Sequence, residues 1–463
     1  MSVSLSLGWG PMVAIYNTYL PEIPLDPKQA TWPRNDWRSS GKGELMTTKV
    51  ARALSTSALP DKAQQRSLSP QHFYKNEGLQ EYVSRAARPI SLRALTNFGR
   101  HLTKEKLLSS ANYVRTELPT RLAHRIRDMQ KLPFVVVQNP HISLVYEMYY
   151  RAFETLKQVP EVKSVEDNDV LCDTVKRLLR EHLVIIPNLA MGIIETSDSV
   201  QSDEMDQFMN RLLRARISRR VIAEQHISLS ETYNSPFHYP EATHPDNVGE
   251  ISLRCSAHDI IKRCAKFTTE LAKTTTNAPI PEVVLEGHLG TTFPFTESHL
   301  EYVVGELLRN CIVATMETHA KDPPPITVTV CDAARQVIIR VSDQGGGIPT
   351  DLLPHIWSFR KKSGTHNDQR LENFARVPTL AGTMQELNKE HMSSLTSLTS
   401  RQPHLRLGMG LPMSRVYAEY WNGSLKLHNL AGYGVDLFLH ISKLGNQLET
   451  VEGTHEKPVL DGV

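Results

Sequence analysis

Hydrophobic residues recur at three- and four-residue steps through the first half of the chain. In the segment TELPTRLAHRIRDMQKLP the apolar positions that would share one helical face are Leu118, Leu122, Ile126 and Met129. The segments ISLVYEMYYRAFETLK and DTVKRLLREHLVIIPNLAMGII have the same period. Several long amphipathic helices in series predict a domain over residues 70–245 that is similar to a four-helix bundle.

The pattern changes after the proline-containing segment SPFHYPEATHPDNVGE, where we place a domain boundary. HDIIKRCAKFTTELAK and residues 299–319 predict helices, whereas PEVVLEGH and TTFPF predict short strands. ITVTV, QVIIRVSD, GSLKLHNL and VDLFLHIS alternate with period two, which predicts half-buried strands. We therefore predict an α+β protein. Its second domain, residues 246–445, is an α/β sandwich with an open mixed or antiparallel sheet and helices on one side.

Three segments show no steady period. Residues 360–410 are polar, and a loop of this length inside a compact domain is typically functional or disordered. Residues 1–69 form an N-terminal extension; from Met46 to Ser69 it has four basic residues, one acidic residue and many Ser, Thr and Ala. This composition is typical of a mitochondrial transit peptide with translation starting at Met46, and a disordered tail is the alternative. Residues 446–463 are predicted to be a disordered tail.

Composition limits the classes of function. The 463 residues carry 52 basic and 50 acidic side chains, a net charge of +2, which gives no indication of a nucleic-acid partner. Five scattered cysteines without a CxxC motif indicate free thiols. No apolar run reaches the roughly 18 residues that a membrane-spanning helix requires, so we predict no membrane span.

Two elements of the second domain could carry chemistry. Glu306 and Asn310 lie four residues apart, on one face of the predicted helix, where they can act as a base and a metal ligand; an exposed surface pair is the alternative. Asp343 ends a strand and could accept a hydrogen bond from an exocyclic amine such as that of adenine. Gly345 and Gly347 would let a flat ligand approach the main chain. A tight turn in which Asp343 bonds its own backbone is the alternative.

A third element is the glycine-rich entry to the helix in LRLGMGLPMSRVYAEYWNGSL. Backbone amides at such a helix start bind phosphate oxygens, and a flexible helix entry is the alternative. The order E-x-x-x-N, D-x-G-x-G and G-x-G-L resembles the ATP-binding fold shared by histidine kinases and type II topoisomerases. That resemblance implies bound ATP, with residues 360–410 as a lid. The chain has neither a GxxxxGK[ST] loop nor the HRD and DFG motifs of ordinary protein kinases.

Segments of both domains resemble one family. ELPTRLAHRIRDMQKLPFVV, RVIAEQHISL, ATMETH, SRVYAEYWNGSL and GYGVD are similar to the mitochondrial kinases that regulate 2-oxo acid dehydrogenase complexes. These are the pyruvate dehydrogenase kinases and the branched-chain 2-oxo acid dehydrogenase kinase. The resemblance extends over about residues 71–445.

The resemblance implies a role for each site residue. Glu306 would be the general base on the substrate serine, tuned by His226, and Asn310 would bind Mg²⁺. Asp343 would accept from the adenine amine. The remaining residues expected at the nucleotide are Gly345, Gly347, Lys362, Ser363, Arg406, Gly408, Met409, Gly410 and Leu411.

Three positions depart from the family pattern. Val313 stands where the family often has a basic residue, Arg406 replaces a lid glycine, and Val435 replaces a threonine beside the adenine pocket. We expect Arg406 to supply the phosphate-binding charge that Val313 cannot. Arg401 or Lys362 are the alternative sources of that charge.

The resemblance thus implies an ATP- and Mg²⁺-dependent protein serine kinase of the mitochondrial matrix. It would phosphorylate and inactivate the decarboxylating subunit of a 2-oxo acid dehydrogenase complex, with pyruvate dehydrogenase favoured over the branched-chain complex. Docking onto the lipoyl-bearing acyltransferase core and homodimerisation through the nucleotide-domain sheets are implied as well. A non-catalytic docking paralogue and a histidine autokinase are the alternatives.

Overall fold

The computed structural model describes residues 77–196, 201–235, 246–360, 407–443, 445 and 447–449, and the statements below concern these residues. Several predictions lie outside them. These are the transit peptide and start site in residues 1–69, and the nucleotide contacts of Lys362, Ser363 and Arg406.

The first domain is helical, as predicted. Its α-helices are α1 (Glu77–Ser84), α2 (Leu92–Gly99), α3 (Lys104–Gln130), α4 (Phe134–Val137), α5 (Pro140–Lys157), α6 (Val165–Glu181), α7 (Ile185–Glu195) and α8 (Ser202–Asn234). The long helix α3 packs against α5, α6 and α8. The predicted apolar stripe of α3, from Leu118 to Met129, is buried in that interface, so the core of the domain forms where the three-four periodicity indicated.

The segment between α6 and α7 differs from the expectation of one continuous helix. A 3-10 turn, His182–Val184, separates the two helices. Pro187 lies in the first turn of α7, where the missing amide hydrogen removes no bond within that helix.

The second domain is α+β. Its elements are β1 (Asn247–Val248), β2 (Ile251–Ser256), α9 (Ala257–Lys273), β3 (Val283–Gly287), β4 (Thr292–Phe295), α10 (Glu297–Thr318), β5 (Ile326–Asp332), β6 (Gln336–Ser342), α11 (Gly410–Tyr420), β7 (Ser424–Leu430) and β8 (Gly434–Ser442), with a 3-10 turn at Leu353–His355. All nine segments that we predicted as helices or strands in this domain form the expected type of element.

The main sheet has five strands in the order β3-β5-β6-β8-β7. Strands β3 and β5 are parallel and the other pairs are antiparallel, so the sheet is mixed. Val328 pairs with Val341 and Val330 with Ile339, and none of these four side chains is exposed. Helices α10 and α11 contact strands of this sheet, and the predicted alternation therefore identifies the core face.

The two short predicted strands belong to different sheets. Strand β3 joins the main sheet, whereas β4 pairs with β2 in a separate antiparallel sheet of order β1-β2-β4. Which strand pairs with which depends on contacts between distant residues, and a short apolar run carries no signal for its partner.

Ordered contacts extend into the predicted tail. Leu448 forms a β-bridge with Ser91, and the buried Glu449 carboxylate lies 2.7 Å from Nη1 of Arg121, whose side chain is also buried. Glu449 also accepts hydrogen bonds from the amide of Ile90 and the hydroxyl of Tyr420. The prediction of disorder from residue 446 onwards therefore does not hold for residues 447–449, which bind the helical domain.

No helix within the described ranges is both long and apolar enough to cross a membrane.

Candidate functional site

One face of α10 runs from the buried core to the surface. Glu306 is fully buried, and Asn310, one turn later, is exposed. Nη1 of the buried Arg309 lies 3.9 Å from Oε1 of Glu306. The predicted pairing of a carboxylate with an amide on one face is thus present, and its open end is at Asn310.

Asp343 is held at the end of β6, as the strand pattern predicted. Its side chain is buried, and Oδ1 accepts a hydrogen bond from the amide of Gly345 at 2.8 Å. Its own amide donates to the carbonyl group of Val435 at 3.0 Å. Burial, followed by the charge and hydrogen bond of Asp343, raises the pKa of the Cys311 thiol well above its usual range. Residues on α10 therefore contact the carboxylate directly.

Packing accounts for the loop glycines, which we predicted would let a flat ligand approach the main chain. A Cβ atom on Gly345 would lie 2.6 Å from Cβ of Ala314 on α10. Gly347 has a φ of +78°, and a Cβ there would lie 2.7 Å from the carbonyl oxygen of Leu430. The loop is packed between α10 and the β7–β8 hairpin, so packing already requires glycine at both positions. The Asp343–Gly345 bond is the tight turn that we gave as the alternative.

Several residues that we did not predict fix this loop. The Thr318 hydroxyl donates to the carbonyl oxygen of Gly345 at 3.0 Å. The side chain of Asn429 donates to the carbonyl oxygen of Ile348 at 2.9 Å and accepts from the amide of Ile348 at 2.7 Å. The sequence offered one signal, since Ala314 and Thr318 continue the four-residue spacing of Glu306 and Asn310. Nothing local identified Asn429.

The start of α11 has the features of an anion site. Gly408 has a φ of +72°. Met409, which directly precedes the helix, makes no side-chain hydrogen bond that caps it. The first-turn amides of Gly410 and Leu411 have no acceptor within the helix, and Pro412 has no amide hydrogen. An anionic group would supply the missing acceptors and would be favoured by the helix dipole. These residues therefore fit a phosphate group.

Aromatic contacts orient α11 on α10. The ring of Tyr417 lies 5.0 Å from the rings of both His299 and Tyr302, and the ring of Tyr420 lies 6.3 Å from that of His299. The end of α11 thus packs on the first two turns of α10. At a rise of 1.5 Å per residue, the first turn of α11 is about 10 Å from Tyr417 along the helix.

His226 is buried on α8. Its Nδ1 is 3.0 Å from the Ser110 hydroxyl of α3, and Nε2 is buried with no hydrogen-bond partner in the described structure. The charges of Arg220 and Glu224 act on Tyr417, so their face of α8 is directed towards α11. His226 is about 200° around the helix from Glu224. The tuning of Glu306 by His226 therefore stays a prediction.

Two of the three departures from the family pattern are visible. Val313 is half-buried on α10. Val435 is buried on β8, where its carbonyl group accepts from the amide of Asp343. The third, Arg406, precedes the described start of this segment at residue 407, so the expected compensation between Arg406 and Val313 stays a prediction.

Comparison with known proteins agrees with this arrangement. Residues 89–252 match the family described as mitochondrial branched-chain alpha-ketoacid dehydrogenase kinase. Residues 295–444 match the family described as histidine kinase-, DNA gyrase B-, and HSP90-like ATPase. The two matches cover the helical domain and the α/β domain in turn.

Relatives are similar along most of the chain. Pyruvate dehydrogenase (acetyl-transferring) kinase 2, mitochondrial, of Saccharomyces cerevisiae is 33% identical over 436 residues, which cover 82% of this chain and 87% of the yeast protein. Pyruvate dehydrogenase (acetyl-transferring) kinase, mitochondrial, of Arabidopsis thaliana is 30% identical, and the match covers 78% of this chain and 92% of the Arabidopsis protein. Pyruvate dehydrogenase (acetyl-transferring) kinase isozyme 1, mitochondrial, of Rattus norvegicus is 30% identical, and the match covers 79% of this chain and 80% of the rat protein. The predicted resemblance is confirmed, and the chain belongs to the family of mitochondrial pyruvate dehydrogenase and branched-chain 2-oxo acid dehydrogenase kinases, with an ATPase-type nucleotide domain.

Proposed function

We propose that this protein is an ATP-dependent protein serine kinase of the mitochondrial matrix. Its substrate is the decarboxylating subunit of a 2-oxo acid dehydrogenase complex, which it inactivates. One observation carries the proposal. Ala314 continues the α10 face of Glu306 and Asn310 and packs against Gly345, and the neighbouring Cys311 contacts Asp343. A base, a metal ligand and an adenine acceptor therefore converge on one helix.

Each residue has a chemical task in this mechanism. Glu306 takes the proton of the substrate serine, because the hydroxyl is a poor nucleophile while it keeps that proton. Asp343 accepts from the adenine amine, and the amides of Gly410 and Leu411 donate to phosphate oxygens. Asn310 holds Mg²⁺ through its side-chain oxygen. The bound ion supplies positive charge that neutralises the transferring phosphoryl group.

Pyruvate dehydrogenase is the favoured substrate complex. The relatives that match most of the chain are named pyruvate dehydrogenase kinases. The helical domain, however, matches a family described by the branched-chain enzyme, so the branched-chain complex is the alternative. We further propose docking onto the lipoyl-bearing acyltransferase core. A homodimer is also proposed, supported by the position of β7 at an edge of the five-stranded sheet.

Phosphate transfer to purified pyruvate dehydrogenase complex tests the function. The protein is incubated with the complex, Mg²⁺ and ATP labelled on the γ-phosphate. We expect acid-stable label on the decarboxylating subunit and a parallel loss of dehydrogenase activity. Acid-labile label on the protein itself would indicate a histidine autokinase. Binding to the complex without any label would indicate the docking paralogue, for which Val313 and Val435 are the supporting departures.

Replacing Asp343 by Asn is expected to weaken ADP binding by roughly ten- to hundredfold, the equivalent of one hydrogen bond to a charged group. The amide can still accept from Gly345, but its NH₂ group presents donors to the adenine amine. Isothermal titration with ADP and Mg²⁺ measures the effect. Asp332→Asn is the matched control, because Asp332 lies at the far end of β5 and pairs with Lys443. Equal ADP affinity for D343N and the wild-type protein would remove Asp343 from the adenine site.

A further inference from the structure

Helix α8 of the first domain contacts the second domain on both sides of residues 361–406. On the N-terminal side, Oδ1 of Asp206 accepts from the amide of Phe359 at 2.8 Å. The Ser358 hydroxyl donates to the carbonyl oxygen of Arg360 at 2.7 Å and accepts from its amide at 3.1 Å, so residues 358–360 form a turn beside this carboxylate. On the C-terminal side, Arg214 forms an ion pair with Glu419 of α11. One helix of the helical domain thus holds both flanks.

The two contacts share one face of α8. Asp206, Asn210 and Arg214 follow one another at four-residue steps, so they lie in a row along the helix. Oδ1 of Asn210 accepts from Nε of Arg214 at 2.5 Å, which leaves the other guanidinium edge directed at Glu419. The row therefore presents a fixed carboxylate and a fixed guanidinium group about 12 Å apart, for eight residues at 1.5 Å each.

Contacts within the second domain close the row into a ring. Nε of Arg415 lies 2.7 Å from Oε1 of Glu419, so both oxygens of that carboxylate hold an arginine. The guanidinium carbon of Arg415 is 5.1 Å from the ring centroid of Trp357, which directly precedes Ser358. We call Asp206, Arg214, Trp357, Arg415 and Glu419 the interdomain ring.

The members of the interdomain ring are shielded enough from water for these contacts to restrict the positions of the helices. The Arg214 side chain is 6% exposed and that of Glu419 is 24% exposed. Burial raises the pKa of the Asp206 carboxyl group, while hydrogen bonding from residues 358–360 opposes that rise. Ion pairs with partly buried members are screened less than surface pairs and restrict geometry more strongly.

We propose that Asp206 and Arg214 are positioning residues of the helical domain for the nucleotide site. Through Glu419 and Arg415 they fix α11, and with it the first-turn amides of Gly410 and Leu411. Through residues 358–360 they fix the chain that leads away from the glycine loop. This inference rests on the proposed use of α11 to bind phosphate.

The position of the interdomain ring explains how it can change the affinity for nucleotide. Arg415 is one helical turn from Leu411, so a displacement of α11 at Glu419 moves the phosphate-binding amides with it. Hydrogen bonds weaken steeply when donor and acceptor are misaligned, and displacements near 1 Å are costly in such sites. Mutations in coupling elements of this kind change affinity by roughly two- to thirtyfold.

Titration of ADP with Mg²⁺ into single and double variants tests the proposal on the full chain. For Arg214→Met and Glu419→Gln we expect ADP dissociation constants raised by roughly three- to thirtyfold, with the double variant no weaker than the weaker single variant. Asp206→Ala is expected to act in the same direction, and Arg214→Lys should recover part of the affinity. Arg177→Met on α6 is the matched control, because it removes an exposed i,i+4 pair with Glu181.

Hydrogen exchange gives a second measurement, which distinguishes a local change in these segments from a change in overall stability. We expect faster exchange confined to residues 357–360 and 410–420 in R214M and E419Q, with the wild-type pattern elsewhere. Wild-type ADP affinity in both variants, or additive losses in the double variant, would overturn the proposal. These outcomes do not depend on any dehydrogenase complex. A failure of phosphate transfer in the wild-type protein would therefore be a separate result.

Discussion

Replacing Glu306 by Gln is expected to lower the turnover number for phosphate transfer by about a hundredfold to ten-thousandfold, the usual contribution of a general base. A glutamine oxygen can accept a hydrogen bond from the substrate serine but cannot take its proton. The two side chains have the same shape, and position 306 on α10 is buried, so the substitution changes little except the charge. We therefore expect the loss in the chemical step.

ADP affinity separates this effect from damage to the nucleotide site. In E306Q it is expected to stay within about twofold of wild type, because Asp343 and the start of α11 are unchanged. Glu301→Gln is the matched control on the same helix; Glu301 is 42% exposed and pairs with Arg263. Single-turnover measurements of labelled product with all three proteins provide the comparison. Full turnover in E306Q would assign the proton transfer to another group.

Acid is expected to destabilise the fold strongly between pH 7 and pH 5. Burial lowers the pKa of His182 to about 3, and the nearby Arg219 and Arg216 charges add to this effect. Burial lowers the pKa of His226 to about 4, and burial with the charge of Arg220 lowers that of His299 to about 3. All three histidines are therefore neutral in the folded protein throughout this range.

The direction of the change in the free energy of unfolding depends on which state binds protons first. An unfolded histidine has a pKa near 6.5, so as the pH falls the unfolded chain takes up protons before the folded protein does. The free energy of unfolding is unaffected above pH 6.5 and falls progressively below it, until the folded pKa values near 3 to 4 are reached. At pH 5 each histidine costs about 2 kcal/mol, and the three together about 6 kcal/mol. Asp206 and Glu250, whose carboxyl pKa values are raised by burial, act in the opposite direction at lower pH.

Urea unfolding at pH 7.5 and pH 5.0 measures this difference. A loss near 6 kcal/mol is comparable with the whole stability of an ordinary domain, roughly 5–15 kcal/mol. His226→Asn is the matched variant, since its side-chain oxygen can still contact Ser110. We expect it to lose about 4 kcal/mol over the same interval, because one of the three groups is gone. An unchanged free energy of unfolding at pH 5 would show that these histidines titrate normally in the folded protein.

The features that were predictable depend on neighbours in the sequence. Period two along residues 326–330 and 337–341 gave the buried face of β5 and β6, because successive side chains in a strand alternate between faces. The four-residue step from Glu306 to Asn310 fixed their shared face in the same way. The order of three short motifs then indicated the nucleotide fold.

The features that were missed depend on distant contacts. Asp206 and Phe359 are 153 residues apart, and the Arg121–Glu449 pair joins α3 to the last residue that the structure describes. Neither pair leaves a local pattern. The contact between His226 and Ser110 of α3 joins residues 116 positions apart and leaves no local pattern either. The glycines of this loop do not distinguish two explanations, since packing against Ala314 and the close approach of a ligand would both require glycine.

Parallel labelling of two complexes tests the central claim most directly. Wild-type protein and E306Q are each given purified pyruvate dehydrogenase complex and branched-chain 2-oxo acid dehydrogenase complex, with Mg²⁺ and ATP labelled on the γ-phosphate. We predict acid-stable serine label on the decarboxylating subunit of the pyruvate complex, formed by the wild-type protein and nearly absent with E306Q. Label on neither complex, with ADP still bound, would contradict the assignment of this chain as an active kinase.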